Sequence, residues 1–82
     1  MITLNEAKKT ALSYMGAGLE ISQVSEISNA WIFSFRDEKT KETLLISPVM
    51  VYKEDGKADT FFPPDHPQEL ASMKIIEKLE YS

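Results

Sequence analysis

A proline stands inside the longest strand-like run of this sequence, and it limits the sheets that the chain can form. Residues 30–57 read AWIFSFRDEKTKETLLISPVMVYKEDGK, with apolar and aromatic residues on both sides of Pro48. Because proline has no N–H to donate, Pro48 belongs at the edge of a sheet, at a bulge or at the start of a strand. It is not an ordinary position within a central strand.

The clearest predicted strand lies before this proline. Trp31, Phe33 and Phe35 alternate with Ile32, Ser34 and Arg36, so one face of the strand is aromatic and the other is mixed. Trp31 and the other rings are expected in the core rather than on a platform for nucleic-acid bases, because few basic residues accompany them. The connector RDEKTKET contains no glycine, which predicts a loop of four or more residues.

Three further strands complete a predicted antiparallel sheet of about four strands. The run LEISQVSEI, residues 19–27, breaks its alternation, which indicates either a bulge around Gln23 or a short strand followed by a turn. Residues 43–46 are read as a strand that residues 49–53 continue beyond Pro48. The sequence EDGK predicts a hairpin turn centred on Asp55 and Gly56, and residues 60–62 form the last predicted strand.

A helix is predicted at each end of the chain. Thr3 and Glu6 have the spacing of a capping box, and Gly16 suits the end of the first helix. The apolar stripe of that helix consists of Leu4, Ala7, Ala11, Leu12 and Met15.

The second helix is predicted from Asp65 as its cap, with Pro67 in the first turn and Gln68 three residues after the cap. Its expected buried side is formed by Leu70, Met73, Ile75, Ile76 and Leu79. The predicted fold is therefore a single α+β domain of residues 1–82, with an N-terminal helix, an antiparallel sheet of about four strands and a C-terminal helix.

The charge of the chain argues against two classes of partner. The formal net charge is −4, and residues 42–82 hold eight acids and four bases, whereas the first 41 residues are balanced. An acidic surface repels phosphates, so neither nucleic acid nor an anionic membrane is an expected partner, although a basic protein is. The acidity is equally explained by solubility alone. The absence of cysteine, of a long apolar run and of a secretory signal predicts a cytoplasmic protein.

No residue pattern indicates catalysis, a cofactor or a metal. His66 lies between Asp65 and Pro67. A position at the entry of a helix is a simpler interpretation of His66 than a role as a catalytic base. Glu54, Asp55 and Asp59 cluster in sequence, but a turn this short supplies too few oxygens for a calcium site. The chain is therefore not predicted to be an enzyme.

The segments WIFSF, PVMVYKEDGK and FFPPDHPQEL resemble the YrhB-like family, also described as the immunity protein 35 family of bacterial polymorphic toxin systems. The helix pattern T-x-x-E-A-x-x-x-A of that family matches residues 3–11, and its pattern P-h-h-V-x-K-x-x-G matches residues 48–56. The likeness extends from about Ile2 to Ile76. It implies a small α+β domain that binds a cognate toxin directly and neutralises it. A chaperone-like or regulatory binding module without a dedicated toxin is the alternative that the resemblance also allows.

Five of the eight acids of the second half are the predicted partner-binding residues. A toxin domain with a basic surface is the expected partner, and the chain is expected to be a monomer or a homodimer. A flanking strand such as residues 19–24 would be the contact in a homodimer. The predicted binding residues are Glu54, Asp55, Asp59, Asp65 and Glu69.

Overall fold

The computed structural model describes residues 1–42, 48–61 and 73–78. These residues form one helix and one antiparallel sheet, which confirms an α+β fold. The strand order in the sheet is β4-β3-β2-β1-β5. The elements are α1 (Leu4–Met15), β1 (Leu19–Glu26), β2 (Ala30–Asp37), β3 (Val49–Tyr52), β4 (Ala58–Thr60) and β5 (Lys74–Lys78).

Helix α1 begins and ends where the sequence predicts. The backbone N–H of Glu6 donates to the Thr3 hydroxyl, and the N–H of Thr3 donates to the Glu6 carboxylate, each at 3.2 Å. These two bonds complete the capping box. The helix packs its buried Ala7 and Ala11 against the sheet, and the N–H of Gly16 donates to the carbonyl of Leu12 in the last turn.

Strands β1 and β2 form a hairpin with an irregular register. Ile21 pairs with Phe35 but Gln23 pairs with Ser34, so one residue of β1 is extra between these pairs. This confirms the bulge, and it changes which face the later residues of β1 occupy. After the bulge Val24 lies on the helix side of the sheet, where it is buried.

Both faces of the sheet are buried at its centre. On the α1 side, Trp31 is only 8% exposed and packs with Phe33 and Phe35, which confirms that the aromatic face of β2 belongs to the core. On the opposite side, Ile32 and Met50 are buried in a second cluster. The other members of the second cluster are Ile27, Ala30 and Phe61, with Tyr52 and Met73 packed against them.

Pro48 lies immediately before β3, which confirms its predicted place at a strand start. Its carbonyl accepts a hydrogen bond from the N–H of Phe61 at 2.7 Å, so the ladder between β3 and β4 extends to the proline without requiring an N–H from it. Strand β4 begins at Ala58, two residues before the predicted position, and it is not the last strand. The predicted strand at residues 43–46 falls outside the described residues.

The predicted C-terminal helix is wrong over residues 74–78. These residues form β5, which pairs antiparallel with β1, so the sheet has five strands rather than about four. Ile75 and Ile76, expected on the buried side of a helix, are 57% and 42% exposed. The difference is explained by the outer side of β1, whose backbone N–H and C=O groups form a template on which another strand can pair. Asp65, Pro67, Gln68, Leu70 and Leu79 lie outside the described residues.

The new strand also changes the expectation for a dimer. The predicted contact at residues 19–24 included Gln23 and Val24, whose outer side is paired with β5 within the same chain.

The described part of the chain contains no helix with the length and apolarity needed to cross a membrane.

Candidate functional site

The hairpin of β3 and β4 presents the acidic residues that the sequence singles out. Tyr52 donates its N–H to the Lys57 carbonyl and accepts from the N–H of Gly56, both at 2.9 Å, so residues 53–56 form a closed turn. Gly56 has a φ of 74°, a conformation that glycine adopts without the steric cost of a Cβ. A hairpin turn at EDGK is confirmed, although its centre lies at Glu54 and Asp55, one residue before the predicted centre at Asp55 and Gly56. Residues 53–60 are called the acidic hairpin below.

Backbone hydrogen bonds hold the start of the acidic hairpin to two other segments. The N–H of Lys53 donates to the Asn29 carbonyl at 3.0 Å, and the Lys53 carbonyl accepts from the N–H of Ile2 at 2.9 Å. The turn is therefore fixed both to the β1–β2 connection and to the segment before α1. Its exposed side chains project from a fixed backbone.

The side chain of Lys53 is engaged within the protein. Its Nζ lies 2.9 Å from Glu26 Oε2 and 5.4 Å from the centroid of the Trp31 ring. The hydrogen bond from Lys53 is the main reason that the pKa of Glu26 lies below its ordinary value, and the charge of Lys53 adds to it. The positive charge at the start of the hairpin is consequently balanced by Glu26.

Three exposed carboxylates remain on the acidic hairpin. Glu54 and Asp55 are neighbours on the turn, and Asp59 lies on β4. Asp55 Oδ1 accepts from the N–H of Lys57 at 3.0 Å, and Asp59 Oδ1 accepts from the N–H of Thr60 at 2.8 Å. Among the described residues, none of these carboxylates forms an ion pair.

The structure places Glu54, Asp55 and Asp59 on one hairpin, but on different parts of it. Asp59 pairs with Met50 across the ladder, and directly opposite residues share a face, so Asp59 lies toward the face opposite α1. Glu54 and Asp55 lie on the turn that joins β3 to β4. The remaining predicted residues, Asp65 and Glu69, fall outside the described residues.

A second group of charges lies at the other end of the sheet. Glu20 accepts a hydrogen bond from Lys41 and another from Arg36 Nε at 3.2 Å, and the bond from Lys41 is the largest cause that holds the pKa of Glu20 below its ordinary value. Arg36 is 8% exposed. This group is paired internally and joins the end of β2 to β1, so its role is structural.

An open depression of about 260 Å³ lies beside the hairpin, lined by Glu26, Ile27, Ser28, Lys53 and Lys74. Two of its charged groups, Lys53 and Glu26, are bonded to each other. In the described ranges, no group of three or more histidine, cysteine, aspartate or glutamate residues is arranged to hold a metal.

Comparison with known protein families, curated proteins and solved structures finds no match for this chain.

Sequence patterns did not reveal two features of this site. The pair between Lys53 and Glu26 joins residues that are 27 positions apart, and the contact of Asp59 with the Thr60 N–H depends on which way the backbone of β4 faces. Both follow from the register of the sheet. The alternation in β2 and the turn at Gly56 were the available signals, but they do not fix that register between strands.

Proposed function

We propose that this chain is a small protein-binding domain of the immunity type, which neutralises a cognate toxin by binding it through the acidic hairpin. The observation that carries the proposal is the set of three exposed carboxylates of the acidic hairpin, which form no ion pairs among the described residues. Glu54 and Asp55 lie on its turn and Asp59 lies on β4, and backbone hydrogen bonds at Lys53 hold the start of the hairpin. The resemblance to the immunity protein 35 family supports the same function. The proposed compartment is the cytoplasm.

The partner that suits this surface is a basic protein domain. Carboxylates on an anchored backbone lose little backbone freedom on binding, and their field attracts a cationic surface before contact. Such attraction mainly raises the association rate and is weakened by salt. The proposal is one of inhibition by surface coverage, with no chemical step on the partner.

The test compares two double variants of equal charge change. Glu54→Lys with Asp55→Lys reverses the two charges on the turn of the acidic hairpin. Glu38→Lys with Glu42→Lys reverses the charges of two exposed acids elsewhere. Ala30 at the start of β2 pairs with Tyr52 beside the hairpin turn, and Glu38 follows Ala30 by eight residues. At about 3.3 Å per residue, the two sites are roughly 26 Å apart.

The partner in this test is a protein that the wild-type chain captures, sought first among toxin domains encoded by neighbouring genes. The measurement is the association rate constant at low and high ionic strength. The hairpin variant should associate more slowly than the wild type at low salt and show a weaker salt dependence, while the control should change much less. Equal slowing by both variants would leave only a general charge effect and reject the hairpin as the binding surface.

A chaperone-like or regulatory module is the second candidate function, and the exposure of Ile75 and Ile76 on β5 favours it. Such a module would contact apolar segments of several proteins rather than one toxin. Replacing both isoleucines by threonine, which keeps β-branched side chains, separates the candidates. Loss of binding in that variant, with the hairpin variant unaffected, would support the module.

A further inference from the structure

Strand β4 forms one edge of the sheet and is the shortest strand described. It pairs with β3 on one side, and the sheet order places no strand on its other side within the described residues. Edge strands present backbone N–H and C=O groups to which another chain can add a strand. How this edge is protected is therefore a physical question about the protein.

The hydrogen bonds of the ladder show which groups face outward. The N–H of Phe61 donates to Pro48 and that of Tyr52 donates to Lys57, so Phe61 and Tyr52 point their backbone groups into the ladder. Bonding residues alternate along an antiparallel strand. Ala58 and Thr60 therefore direct their N–H and C=O groups away from β3, toward the open edge.

The outward N–H of Thr60 is already bonded. Asp59 Oδ1 accepts from it at 2.8 Å, so an incoming strand would have to displace a charged acceptor to form its own bond there. The charge of Asp59 opposes addition of an identical strand as well. Antiparallel pairing of two copies about Asp59 places Ala58 opposite Thr60 of the second copy and the two aspartates directly opposite each other, about 4.5 Å apart at Cα.

We propose that Asp59 keeps the β4 edge closed to pairing with a second copy of this chain. The second copy is the relevant occupant because antiparallel pairing of two β4 strands about Asp59 would use both outward-facing residues of each strand. The only obstacle in this register is Asp59. Like charges directly opposite on neighbouring strands are destabilising, and the occupied N–H removes one ladder bond from each copy. This role of Asp59 does not depend on toxin binding, which the test above probes at Glu54 and Asp55.

The test compares Asp59→Val with Glu54→Val. Both variants remove one negative charge and add the same apolar side chain to the same hairpin, but only the first frees the Thr60 N–H. Sedimentation velocity measures the oligomeric state over a wide range of protein concentration. The Asp59→Val protein should form a dimer of the species that the wild type forms. The Glu54→Val protein should sediment as the wild type does.

A second substitution shows whether association uses the edge. Ala58→Pro removes an outward N–H and leaves the bonds to β3 in place, a change that edge strands tolerate. Added to Asp59→Val, it should abolish the association. Asp59→Thr serves the same comparison if the valine variant does not fold.

Two results would overturn the proposal. One is sedimentation of the Asp59 variants that matches the Glu54→Val control at every concentration. The other is association of Asp59→Val that persists unchanged with Ala58→Pro, since it would then arise from a surface other than the β4 edge.

Discussion

Thr3 stabilises α1 although it is exposed on the surface. Its hydroxyl accepts the N–H of Glu6, an orphan donor of the first turn, and the Glu6 carboxylate accepts the N–H of Thr3 in return. Thr3→Ala removes the acceptor and should lower the free energy of unfolding by about 0.5–2 kcal/mol. Urea denaturation of both proteins measures the difference.

Ser13→Ala is the control for this prediction, because Ser13 is exposed in the same helix and outside the cap. Surface substitutions of this kind change stability by less than about 0.5 kcal/mol. A Thr3→Ala protein no less stable than the Ser13→Ala protein would contradict the role of the cap.

At the scale of the element, the β3–β4 hairpin depends on Gly56 for two separate reasons. Its φ of 74° is costly for residues with a Cβ, and a Cβ at this position would lie 3.2 Å from Cγ2 of Ile2. Gly56→Ala should therefore lower the free energy of unfolding by about 1–2 kcal/mol or more, measured by urea denaturation.

Gly18→Ala separates those two causes. Gly18 has a similar φ of 88°, but nothing lies within 4 Å of the place where its Cβ would be. The Gly18 variant should show the conformational cost alone, so the Gly56 variant should be the less stable of the two. Equal stability of the two variants would show that the Ile2 contact is relieved at no cost by movement of its flexible side chain.

The same scale explains why β5 was predicted as a helix. In the sequence MKIIEK, the apolar residues Met73, Ile75 and Ile76 are spaced closely enough to suit either a helical stripe or a short strand. The deciding interaction is with Ser25 and Glu26 of β1, almost fifty residues earlier in the chain. A periodic pattern over a few residues contains no information about such a distant partner.

For the whole molecule, the sequence predicted what depends on near neighbours. The capping box, the alternation in β2, the bulge near Gln23 and the turn at Gly56 each involve residues within a few positions, and each is confirmed. The burial of Arg36 and Ile32 on the second face was not foreseen, because alternation indicates which residues share a face but not whether that face is covered.

The candidate site divides in the same way. Exposure of Glu54 and Asp55 follows from a turn that the sequence identifies. The bond from the Thr60 N–H to Asp59 requires knowing which residues of β4 point toward β3, and that depends on the pairing of two strands. Local patterns therefore predicted the charged surface, and only the sheet register revealed the protected edge.

The stability of the whole protein should fall in acid, and Asp37 offers a direct test. Its Oδ1 accepts the N–H groups of Lys39 and Thr40, each at 2.8 Å, and the bond from Thr40 is the main cause that lowers its pKa. A carboxylate with a lowered pKa in the folded state contributes stability that is complete above its unfolded pKa, about 3.9 for aspartate. That contribution is lost as the pH falls through the folded pKa.

Asp37→Asn isolates this contribution, because an amide oxygen can accept the same N–H groups but does not titrate in this range. The wild type should exceed the variant in urea midpoint by a constant amount from about pH 7 to pH 5, and the difference should shrink below about pH 4. The other titrating groups are common to both proteins, so the pH dependence of the difference reports mainly on Asp37 and its interaction with Lys41. Glu38→Gln is the matched control, because Glu38 lies in the same turn and its carboxylate accepts no hydrogen bond from a described residue, and this variant should follow the wild type closely. A difference between wild type and Asp37→Asn that stays constant or grows toward pH 3 would show that the Asp37 carboxylate is not stabilised in its charged form by the turn.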